Sequence, residues 1–165
     1  QPENLDGLRW LQIKTHVPIG IGESIFGKFG FEEIVSDRLA SYVRPDALHA
    51  GGISEVRKIA HMAGGNFVDV ALHVGVSPVS NLAACHLAMA TDSIVIAEIS
   101  GHPDRRPQRD RDLFGGDISV KSGHATPPDK PGLGCDLDEA LAAKIPYRQR
   151  DLPRMQYEDG TVSNW

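Results

Sequence analysis

Short apolar runs alternate with amphipathic stretches along the first hundred residues of this 165-residue chain, and that alternation restricts its fold more than any other feature. Leu5, Leu8 and Leu11 recur at helical spacing behind a capping residue, Asn4, and predict a helix running to about Lys14. The run VPIGIGES then reads as a buried strand. In GFEEIVSDRLASY, Phe31, Ile34, Val35, Leu39 and Tyr42 share one helical face, and the strand Val43 to Leu48 follows. Ile53, Val56, Ile59, Ala60 and Ala63 form the next apolar stripe, before the strand FVDVALHV. Ser77-Pro78 offers a cap and a proline at the first helical position, ahead of Val79, Leu82, Ala83, His86, Leu87 and Ala90 on one face; DSIVIAEIS is a fourth strand. Strands separated by helices of about a dozen residues predict a parallel sheet with right-handed crossovers.

Beyond Ser100 the texture changes. GHPDRRPQRDRDLFGGD reads as a long, solvated, charged loop, Ile118 to Lys121 as a short strand, and TPPDKPGLGCD as a turn-rich connector. Asp138 to Lys144 predicts a short helix, and YEDGTVSNW a hairpin or extended tail ending on Trp165. The division expected is therefore 1–100 for the strand–helix units and 101–165 for a loop and C-terminal extension packing on them.

With 41% hydrophobic and 24% charged residues the composition is that of a globular domain with one sizeable core. A formal charge of -5 gives no support for nucleic-acid or anionic-membrane binding, and no apolar run is long enough to span a bilayer, which leaves a small molecule as the expected partner. Cys85 and Cys135 lack metal-ligand spacing and read as reduced thiols, which fits a cytoplasmic setting. Cys85 and His86 fall on a predicted helix, His86 on its apolar stripe, and read as packing residues rather than as a zinc or redox pair; His16, His61, His102 and His124 have no partner pattern and read as surface residues.

The chemistry lies at the strand ends. The first strand ends in Gly22-Glu23-Ser24, the second carries Asp46 with His49 beyond it, the third runs into His73, and the fourth ends at Glu98. Carboxyl ends of parallel strands point to one side, so these groups should converge on one mouth, where such folds bind ligands. On adjacent strands, Asp46 could hold one ring nitrogen of His73, fix its tautomer and make the other nitrogen a general base. Glu23 is an oxygen ligand of the kind Mg²⁺ uses. Glu98, facing the pair, could bind metal or, if burial raised its pKa, donate a proton to a developing oxyanion.

The segments VPIGIGES, RPDALHAGGISEVRKIAHMA, ALHVGVSPVSNLAACHLA, KPGLGCDLDE and EDGTVSNW resemble the C-terminal half of the mandelate racemase group of the enolase superfamily, and within it the sugar-acid dehydratases of the D-galactonate dehydratase type. The resemblance covers nearly the whole chain; only His102 to Asp112 has no counterpart. It implies the C-terminal half of a modified TIM barrel of the (β/α)7β type, and, as a known property of that superfamily, a Lys or His base with Mg²⁺. Carried over by motif, Glu23 is a metal-binding carboxylate, and Asp46 and His73 form the dyad whose imidazole removes the proton alpha to a carboxylate. Glu98 meets the substrate carboxylate and supports the enediolate, and His49 occupies a position expected to line the pocket, with a surface position or one behind the pocket wall as the alternatives. A sugar acid is the implied substrate, one Mg²⁺ the cofactor of a complete site, and a homo-oligomer the expected state of the full-length enzyme.

The same resemblance implies that two more metal ligands lie upstream, the nearer one immediately before Gln1-Pro2, with the group that assists hydroxyl departure. The expectation is that the isolated chain binds Mg²⁺ poorly, is inactive, and associates through unpaired edge strands. Racemase or epimerase chemistry within the superfamily, and a noncatalytic half-barrel interaction module, are the alternatives.

Overall fold

The computed structural model describes residues 4–75, 77–149 and 155–162. The strand–helix order expected from the sequence is present: α1 (Leu5–Gln12), β1 (Gly20–Ile21), α2 (Glu32–Ser36), β2 (Tyr42–Val43), α3 (Ile53–Gly65), β3 (Asp69–Leu72), α4 (Pro78–Ala90) and β4 (Ile94–Ala97). The strands form one parallel sheet in sequential order, with Ile21 opposite Val43, Val43 opposite Val70, and Leu72 opposite Ala97. Each crossover helix packs its apolar face on the sheet. Phe31, Ile34 and Val35, Val56, Ile59 and Ala60, Val43 and Val70 fill the core at 0–1% exposure. Burial of such side chains contributes about 1.5–3 kcal/mol each, before the cost of ordering the chain.

Local residues account for the element ends. Asn4 caps α1 by accepting from the Gly7 amide, and Ser77 forms a capping box with Ser80 behind Pro78. Gly51 and Gly52 take φ of 110° and 88° to turn the chain into α3, conformations that a Cβ would disfavour. Arg9 reaches across from α1 to Glu33 and Asp37, both at 2.6 Å; these hydrogen bonds push the pKa of its guanidinium up and tie the first helix to the second.

Several boundaries differ from the sequence reading. Tyr42, expected on the face of a long helix, lies in β2, because that helix is only a 3-10 turn (Lys28–Phe31) and the short α2. Arg38, at φ 52°, reverses the chain and the Leu39 amide donates to the Ile34 carbonyl, so the helix stops at Ser36, well short of Tyr42. Leu11 and Ile53, placed on apolar stripes, are 40% and 43% exposed. The charged segment after Ser100 is not a plain loop. It folds into a 3-10 turn (Pro103–Arg105) and α5 (Gln108–Phe114), and Arg106 is buried against Asp117. The short strand, β5 (Ser119–Lys121), pairs antiparallel with β6 (His124–Thr126), which periodicity did not disclose in so short a run. A short α6 (Glu139–Ala142) is capped by Asp138. Gln156 and Val162 bridge antiparallel, so the described part of the tail is a hairpin; Gln1-Pro2 and Trp165 lie outside the described residues.

Leu82, Cys85 and Ile118 form a second small core with Ile99, Val120, Ala125, Leu133 and Cys135, through which the residues beyond β4 pack on α4. The helix is consequently buried on more than one side. His86 belongs to this contact, its Nε2 lying 3.3 Å from the Leu133 carbonyl oxygen. His16, His61, His102 and His124 are exposed, as expected. Among the described residues no helix is long and apolar enough to cross a membrane.

Candidate active site

Glu23, Asp46, His73 and Glu98 follow β1, β2, β3 and β4 in turn, and the parallel order of the sheet delivers all of them to one rim. The closest pair is Asp46 with His73. A single parallel bridge continues the β2–β3 ladder to these residues, and the His73 amide donates to the Pro45 carbonyl. Backbone pairing therefore aligns the side chains: His73 Nδ1–H donates to Asp46 Oδ2 at 2.7 Å. Asp46 is 1% exposed, and its other oxygen accepts from the Leu48 amide at 2.6 Å, so both carboxylate oxygens are engaged. Gly75 passes close by: a Cβ there would lie 2.5 Å from Leu48 Cδ1 and 3.6 Å from Asp46 Oδ2, so a side chain at this position would have to displace the tip of Leu48.

With Nδ1 committed to Asp46, the lone pair of Nε2 is free, and it faces the rim. Glu98 Oε2 is 3.9 Å and Glu23 Oε2 4.0 Å from His73 Nε2. Both carboxylates are about half exposed, Glu98 at 47% and Glu23 at 55%, while the His73 side chain is 24% exposed. Glu98 is ion-paired. Arg44, from the end of β2, donates from Nη2 to Glu98 at 2.9 Å and places Nη1 3.8 Å from Glu23. The result is an imidazole with one free nitrogen, flanked by two carboxylates that share a guanidinium.

Arg44 was missed by sequence reasoning. The signal was available, because residues 44 and 46 alternate with Pro45 along one extended segment and project to the same face. His49 is exposed, and its Nδ1–H donates to the Glu23 backbone carbonyl at 3.0 Å. It thus braces the turn that carries Glu23. Gly22, at φ 132°, precedes that glutamate, and a Cβ there would overlap the Phe31 ring at 2.5 Å.

Hard carboxylate oxygens at the rim are the donor chemistry that Mg²⁺ takes, but the number falls short: among the described residues no group of three or more His, Cys, Asp or Glu side chains is placed to hold a metal ion. Glu23 would be one ligand of a larger set.

Comparison with known proteins fits this geometry. Residues 1–141 match the Enolase C-terminal domain-like family. This chain belongs to that family. A D-mannonate dehydratase from Caulobacter vibrioides is 36% identical to it over 165 residues, 99% of this chain and 40% of that protein. A D-galactonate dehydratase family member from Streptomyces bingchenggensis is also 36% identical, over 99% of this chain and 39% of its own length. Among solved structures, an enolase from Pantoea ananatis with bound D-gluconate and Mg superposes with a TM-score of 0.80 at 33% identity, over 89% of this chain and 35% of that one. The chain thus spans about two fifths of the length of the curated relatives it matches. Its parallel sheet and flanking helices are the C-terminal barrel portion of an enolase-superfamily TIM barrel.

Proposed function

We propose that this chain is the C-terminal part of a cytoplasmic, Mg²⁺-dependent sugar-acid dehydratase that acts on an aldonate of the D-galactonate class and forms a 2-keto-3-deoxy acid. The observation that carries the reading is the His73–Asp46 pair, with the free ring nitrogen open to a rim of complementary charge. His73 Nε2 takes the proton alpha to the substrate carboxylate, and Asp46 holds the imidazolium that results. Arg44 donates to the carboxylate end of the substrate, with Glu98 beside it orienting the guanidinium. The carbon acid is weak because proton loss leaves a dianion, and Mg²⁺, held in part by Glu23, would supply positive charge where negative charge develops. The electron pair left on the alpha carbon then expels the beta hydroxyl as water, and the enol tautomerises to the keto acid. Relatives named as mannonate and galactonate dehydratases support elimination over racemisation.

The remaining ligands and the acid for the departing hydroxyl belong, in this reading, to the rest of the barrel. The 165-residue chain by itself is then inactive, and its outer strands β1 and β4, each with a sheet neighbour on one side only among the described residues, are surfaces for association. In the full-length enzyme carrying this segment, aldonates incubated in D₂O exchange the alpha proton and yield keto acid, while His73→Asn lowers exchange by about 10²–10⁴-fold. Exchange that persists in His73→Asn, or turnover by the isolated chain equal to that of the full-length enzyme, refutes the proposal.

A further inference from the structure

Asn81, on α4, is 2% exposed, and its side-chain amide is spent entirely on one residue beyond β4. Its Nδ2 donates to the Ser100 carbonyl at 3.2 Å and its Oδ1 accepts from the Ser100 amide at 3.0 Å. This two-point contact reproduces the hydrogen bonding of a strand partner at the place where the sheet has ended. The Ser100 carbonyl also accepts from Arg106 Nη2 at 3.2 Å. Arg106, whose side chain is 7% exposed, is fixed in turn by Asp117, which bonds its Nε and caps the Ile118 amide. Ile118 is buried against Leu82 and Cys85 of α4. A continuous path of polar contacts and packing therefore connects the residues after position 100, α4, and a backbone position two residues from Glu98.

Among the described residues, neither Arg106 nor Asp117 bonds a rim side chain, and the Asn81 side chain bonds Ser100. The backbone they hold is also held by the β3–β4 ladder, which ends with the Glu98 amide donating to the Leu72 carbonyl, and by Ile99, packed in the small core with Leu82, Cys85 and Ile118. Glu98 itself is half exposed and reaches Arg44 and His73 without a packed wall around it. Its placement depends on the Arg44 ion pair and on the backbone that carries it, which is fixed on one side by Leu72 and on the other by Ile99 and Ser100.

We infer that Asn81 and the Arg106–Asp117 pair are positioning residues for Glu98, and that through them the C-terminal extension controls the geometry of the rim. The inference rests on the reading of Glu98 as a substrate-facing group, but its geometric content is separately testable. A structural role alone would lower stability without displacing Glu98 relative to Arg44; a positioning role moves Glu98 while the rest of the sheet stays in place.

The test uses the full-length enzyme that carries this segment, with carbon-13 labelled glutamate and nitrogen-15 labelled backbone. Asn81→Leu removes the two-point contact at similar volume. Arg106→Lys keeps a charge opposite Asp117 and loses the reach to Ser100, and decides the question if Asn81→Leu does not fold. Val56→Ala, on the buried face of α3, is the control for lost stability. The expected result is a displaced Glu98 carboxyl resonance in both clamp variants, with Ser100 amide exchange faster by roughly tenfold, and an unmoved Glu98 resonance in the control. A Glu98 resonance that stays in place when Ser100 exchange accelerates, or that moves equally in Val56→Ala, overturns the inference. The reading of Glu98 as a substrate-facing group fails on different evidence: a full-length enzyme in which Glu98→Gln retains full turnover would remove that role and leave the clamp standing.

Discussion

Asp46 and His73 meet at 2.7 Å where their strands have all but ended, so that the last backbone pairing between β2 and β3 is also the alignment of the dyad. A carboxylate 1% exposed and an imidazole 24% exposed make a graded pair: the inner group orients, and the outer one is reachable from solvent. The imidazole of His73 is thus positioned by backbone pairing to β2, which holds it to a narrow range of orientations.

Replacing Asp46 with Asn should invert the histidine tautomer without removing a side chain. The Leu48 amide requires an oxygen acceptor at 2.6 Å, so the carbonyl oxygen of the substituted side chain turns to it and the amide NH₂ faces His73 Nδ1. Nδ1 then becomes an acceptor and the ring proton moves to Nε2. Nitrogen-15 spectra of the 165-residue chain report the tautomer directly, and alpha-proton exchange in the full-length variant should fall by about 10²–10⁴-fold. A ring that keeps its proton on Nδ1 in Asp46→Asn would contradict this account.

Arg44 should compete with a divalent cation for the rim. Its guanidinium lies 3.8 Å from Glu23 and 2.9 Å from Glu98, where a unit charge interacts with a carboxylate by about 1 kcal/mol in water and more in a partly screened site. Arg44→Met should tighten Mn²⁺ binding to the 165-residue chain by roughly 3–10-fold at low ionic strength, with the gain shrinking as salt screens the site. Electron paramagnetic resonance titration measures free Mn²⁺; unchanged or weaker binding would show that the arginine does not hold the site against a cation.

Both thiols should be sluggish at neutral pH. Burial pushes the Cys85 thiol up, and burial followed by the Asp136 and Asp117 carboxylates does the same for Cys135. A raised pKa leaves less thiolate, the reactive form, so alkylation at about pH 7.5 should run about tenfold or more below a free cysteine and accelerate as pH rises above the ordinary thiol range. Labelling at the rate of free cysteine would refute the burial of both groups.

Much of this protein is legible along the chain. The strand–helix alternation, the capping at Asn4 and Ser77-Pro78, the glycine turn before α3 and the rim position of four ionisable residues all follow from local periodicity and backbone preference. Those features depend on neighbours within a few positions, which a sequence displays directly. Tyr42 and β6 were misread or unseen for the same reason, since a helix ended by a positive φ at Arg38 and a three-residue strand leave too little pattern to detect.

What the sequence by itself determined was the order of elements and the residues at their ends. Only the tertiary structure decided which of those residues touch: the engagement of both Asp46 oxygens, the sharing of Arg44 between Glu23 and Glu98, the turning of His49 onto a backbone carbonyl, and the burial of Arg106 within a segment that reads as solvated. Periodicity records which face of an element is apolar, whereas the choice of partner for a polar side chain depends on groups brought from dozens of positions away, by packing that no local window contains.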